Sequence, residues 1–98
     1  MAKNLFALAD TVHDEKTFLE FLMALSLDWE EEQAIEKENP SGPYSAGALG
    51  WENGNIGAML GAAVAWGAST THGAPRYEKP ENPWRRAAHI LHAGKFYE

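Results

Sequence analysis

The chain has 98 residues, no cysteine and a formal net charge of -6. That length predicts one domain spanning residues 1–98. A hydrophobic share of 45%, with four tryptophans, excludes a disordered chain, and the missing thiols exclude disulfide and thiolate chemistry. The opening residues lack a secretion signal, and no stretch approaches the ~20 apolar residues of a membrane span, so a cytoplasmic setting is expected. Residues 1–39 hold ten acids against three lysines, whereas residues 40–98 hold four acids and five bases. The acidic half speaks against direct contact with nucleic-acid phosphates, which calls for clustered Lys and Arg.

In chain order, Asn4 caps a short first helix expected to run to Val12, with Leu5, Leu8, Ala9 and Val12 at helical spacing. Asp14 is an N-cap for a second, long helix. Thr17 with Glu20 offers a competing start of the capping-box type. Phe18, Phe21, Leu22, Leu25 and Trp29 form one apolar stripe on that helix, which Leu19, Met23 and Leu27 are expected to widen. Its second half, Asp28 to Glu38, is dominated by glutamate and is expected to project into water. The helix should stop near Asn39 and Pro40, since the residue before proline avoids helical angles.

Residues 39–50 read as a loop rich in Pro, Gly and Ser. Asn53 or Asn55 caps a third helix over about 56–68, with Ile56, Met59, Leu60, Ala63, Val64 and Trp66 expected on its buried side. Gly57 and Gly61 are expected at a tight helix–helix contact. A second polar loop covers 69–81. Asn82 and Pro83 then make the clearest helix start, an N-cap with proline at N1. Trp84, Ala87, Ala88 and Leu91 should face the core, with Gly94 as the residue that ends this helix.

No constellation carries recognisable catalysis. His89 and His92, three residues apart, could share a metal with His72 or Glu98, but that spacing describes two helix-end histidines equally well. Ser41, Ser45 and Ser69 lack a nucleophile elbow. Consecutive glutamates on a solvated helix are the wrong environment for a raised carboxylate pKa. The acidic run serves better as an electrostatic docking face, and Tyr44 and Trp51 in the glycine-rich loop are candidate interface anchors.

Several segments together resemble a family of small bacterial proteins known only as a domain of unknown function. They are Val12-His13-Asp14, Phe18 to Leu22, Glu38-Asn39-Pro40, Gly50-Trp51-Glu52-Asn53, Ala65-Trp66, Asn82-Pro83-Trp84-Arg85-Arg86 and Ala93 to Glu98. The likeness spans nearly the whole chain and implies no activity and no catalytic residues. The chain departs from that pattern where Gly57 and Ala58 replace acidic first-turn residues.

The sequence therefore predicts an all-α bundle of three to four helices with two long loops. It is expected to be a non-enzymatic, acidic protein–protein interaction module. A narrower form is an inhibitor: an immunity protein, or a phage-encoded inhibitor of a nucleic-acid-handling complex. The alternatives are a self-associating structural domain and a small ligand- or metal-binding protein. Asp28, Glu30, Glu31, Glu32, Glu36, Tyr44 and Trp51 are the candidate partner-binding residues. The expected partner is a basic protein, with homodimerisation open. No catalytic, cofactor or metal residue is assigned.

Overall fold

Each helix begins on a side chain that the sequence supplies one residue ahead of it. The computed structural model describes residues 4–42 and 46–98. Among these lie α1 (Leu5–Ala9), α2 (Glu15–Glu38), α3 (Ile56–Ser69) and α4 (Pro83–Phe96). The Asn4 carboxamide oxygen accepts from the Ala7 amide, that of Asn55 from Ala58, and that of Asn82 from Trp84 and Arg85. At α2, the Asp14 carboxylate accepts from the Thr17 amide at 2.9 Å, and the Thr17 hydroxyl accepts from the Asp14 amide. Asp14 is thus the cap, and Thr17 is its partner in the box rather than a rival start. The Thr17 amide and hydroxyl both donate to the Asp14 carboxyl and hold it below its ordinary pKa.

α4 is the hub: α1, α2 and α3 each pack against it, while α2 otherwise meets only α1. The core gathers Leu5, Ala9, Val12, Phe21, Ala24, Leu25, Trp51 and Ala88. Phe21 and Val12 are its largest fully buried side chains. Burying a side chain such as Phe21 or Leu25 contributes roughly 1.5–3 kcal/mol before entropy is counted.

Several expectations need correction. α1 stops at Ala9 instead of reaching Val12. The amides of Thr11 and Val12 turn to carbonyls only three residues back, tightening the chain out of the α-helix. Gly94 does not end α4; it lies buried inside the helix, where a β-carbon would stand 2.8 Å from the Met59 carbonyl oxygen. The close crossing of α3 on α4 therefore uses Gly94 and Gly67, the latter facing Ile90. Gly57 and Gly61, expected at that contact, face away from it; a β-carbon on Gly61 would meet nothing within 4 Å. Trp84 is 37% exposed. It sits in the first turn of α4, ahead of buried Ala88, and meets the Phe18 ring at a centroid distance of 5.5 Å. Among the described residues, no helix is long and apolar enough to cross a membrane.

Candidate functional site

The acidic half of α2 works largely inward. The Asp28 carboxylate receives the Lys95 ammonium at 2.7 Å and the Trp51 indole N–H at 2.9 Å on the same oxygen. One Glu32 oxygen accepts from the Leu49 amide at 2.8 Å and the Trp51 amide at 3.2 Å. Glu36 accepts from the amides of Ser41 and Ala48, and the hydrogen bonds from Ser41 hold its carboxyl below the usual range. Three carboxylates one helical turn apart thus line up along one loop, Glu32 and Glu36 accepting its amides and Asp28 the Trp51 indole N–H. Gly47 lets that loop close, because a β-carbon there would collide with the Glu32 carboxylate.

The far side of the same loop grips α4. The Lys95 carbonyl accepts from the Glu52 and Asn53 amides, and the Asn53 carboxamide donates to the carbonyls of Gly94 and Tyr97. These bonds satisfy carbonyls that a helix end leaves orphaned. A second clamp joins Asn82 to the His13 carbonyl and Arg85 to the Val12 carbonyl, each at 3.0 Å. Glu52 and Asn53 with Gly94, Lys95 and Tyr97 thus make one clamp, and Val12 and His13 with Asn82 and Arg85 the other. Their pairing accounts for them as structural elements.

This arrangement corrects the expected solvated face. Asp28 and Glu32 are buried, Glu36 is half-buried, and Trp51 plugs the core, edge-on to Trp29 at 5.1 Å. Glu30 and Glu31 remain exposed. Tyr44 lies outside the described residues. Sequence reasoning missed Lys95 as the counter-ion of Asp28, because the two are 67 positions apart and no local pattern links them.

A second polar cluster lies between α1, α4 and the loop before it. The Tyr77 hydroxyl is 2.8 Å from His89 Nδ1, and His89 Nε2 is 3.2 Å from Asp10. Arg86 donates to the Gly67 carbonyl and the Thr70 hydroxyl and lies over the rings of Trp66 and Tyr77. His92 stands among the rings of Phe6, Phe21 and Phe96. Burial, helped by the nearby Lys95 charge, pushes its imidazole down to about 4, and burial also lowers His89. A recess of about 210 Å3 opens here beside Trp66, Arg76 and Tyr77. The two histidines are thus tied to separate neighbours. Among the described residues no three His, Asp or Glu side chains converge where a metal could sit. The cluster acts as a latch that ties α1 and the loop to α4.

The largest departure from expectation is apolar. On α3, Ile56 is 79%, Leu60 51% and Val64 70% exposed. α3 contains no charged residue, and among the described residues its only helix neighbour is α4. The other exposed residues of α3 are all small: Gly57, Ala58, Gly61, Ala65, Ala68 and Ser69. At its N-terminal end this face runs into a pocket of about 170 Å3 lined by Trp29, Trp51, Ile56, Met59 and Leu60. A second stripe, Leu19, Met23 and Leu27, lies exposed on the back of α2 beside a shallow groove. Comparison with family models, curated proteins and solved structures returned no match.

Proposed function

We propose that the protein is a non-enzymatic interaction module whose docking surface is the outer face of α3. One observation carries this reading: a 14-residue helix without a charged side chain is covered on one side only. A helix apolar all round belongs inside a protein, and contiguous apolar surface of this kind marks interaction sites. The occupant is an amphipathic helix of a partner protein. Gly57 and Gly61 leave the surface low enough for a helix to approach closely, and Leu60 and Val64 supply the ridge it packs on. The pocket between Trp29, Trp51 and Met59 accepts one apolar anchor at the end of that helix. A partner with basic flanks suits the net charge of -6 and the exposed Glu30 and Glu31.

A photoreactive amino acid at position 64, introduced in the native host, tests this reading. The expected product is a covalent adduct with a second, basic protein, lost when Leu60 is changed to Glu. Recovery of the chain uncoupled, or coupled only to itself, would remove the proposal.

A further inference from the structure

The back of α2 carries a pattern that the docking face of α3 does not. Leu19, Met23 and Leu27 recur every four residues on the side away from buried Phe21, Leu25 and Asp28, and Met23 is 60% exposed. Four positions are one helical turn, so the three side chains form a ridge centred on Met23. Glu20 stands on the flank of this ridge, and at its two ends stand Lys16, seven positions before Met23, and Glu30, seven positions after it, both exposed. Neither makes an ion pair or a side-chain hydrogen bond among the described residues.

That symmetry has a direct consequence. When two copies of α2 lie antiparallel with a two-fold axis at Met23, position 23+n meets 23−n. Leu19 then meets Leu27 of the second copy, Met23 meets its own counterpart, and Lys16 meets Glu30 twice. On the helical wheel Lys16 and Glu30 sit within about 20° of the ridge centre, at 100° per residue. Glu15 and Glu31, which the same register also pairs, lie on opposite flanks and stay apart. An isologous contact requires this kind of self-complementarity.

We propose that the chain forms a two-fold dimer through the back of α2, with Leu19, Met23 and Leu27 as its apolar seam and Lys16–Glu30 as its paired ends. The dimer leaves the outer face of α3 free, so it stands independently of the function proposed above.

The absence of cysteine makes the test direct. Met23→Cys places one thiol on the axis, and mild oxidation should convert the protein to a disulfide-linked dimer far faster than the exposed control Ala68→Cys. Sedimentation of the parent chain should give twice the 10.8 kDa chain mass. Met23→Glu should give the monomer with unchanged helix content. Lys16→Glu or Glu30→Lys alone should weaken the dimer by about tenfold, and the double reversal should restore it. Three results would each overturn the proposal: a monomeric parent, a dimer abolished by Leu60→Glu but not by Met23→Glu, or a double reversal as weak as the singles.

Discussion

The acidic half of α2 and the outer half of α3 exchange the places that their compositions suggest. Asp28 and Glu32 are buried while Leu60 and Val64 stand in water. The difference lies in what each segment finds beside it. Asp28, Glu32 and Glu36 face a loop whose amides need acceptors, with Lys95 arriving from α4 to balance Asp28. Buried charge is tolerated when it is paired and hydrogen-bonded. Among the described helices α3 meets only α4, and a helix with one helix neighbour covers one face. Charge therefore serves the fold in one region, and apolar surface stays uncovered in the other.

The sharpest way to break this comparison is at Asp28. Asp28→Ala strands the Lys95 ammonium and the Trp51 indole N–H in a buried site. It should cost about 3–5 kcal/mol in urea unfolding. A loss below 1 kcal/mol would mean that the carboxylate is solvated after all. Glu32→Ala removes the acceptor of two loop amides and should cost about 1–3 kcal/mol. Gly47→Ala should destabilise by displacing the same carboxylate and should add little in the Glu32→Ala background. Full additivity would contradict the shared site.

The helix starts were open to a reader of the sequence because a cap is a local device: Asn4, Asp14, Asn55 and Asn82 each bond within three residues. The phase of the apolar stripes was open too, since periodicity fixes which residues share a face. Which face gains a neighbour was not. Ile56, Leu60 and Val64 recur as a core stripe would, yet the side of α3 that α4 meets is the one carrying Met59, Ala63, Trp66 and Gly67. A run of acids likewise cannot announce that a lysine 67 positions away will reach Asp28. Gly94 read as a helix stop because glycine commonly sits there; the cause of its presence, the Met59 backbone, comes from another helix.

A fourth prediction sharpens the contrast through pH. His92 stays neutral in the folded protein down to about 4, against an ordinary value of 6.5. The unfolded chain binds the extra proton across that window, so stability should fall as pH drops from 6.5 towards 4. His92→Phe should flatten the slope measured by unfolding at several pH values; an unchanged slope would assign it to other groups. The smallest effect belongs to α3. Val64→Gln should change stability by no more than about 0.5 kcal/mol, because Val64 is already 70% exposed. A large loss would show that something covers the side chain.

A neutral soluble nitroxide, added to isotope-labelled protein dilute enough to be monomeric, reads both regions in one spectrum. The methyl signals of Leu60 and Val64 should broaden as strongly as surface residues do, while the Trp51 indole proton held by Asp28 stays sharp. Protected methyls on α3 together with a broadened Trp51 proton would contradict the account.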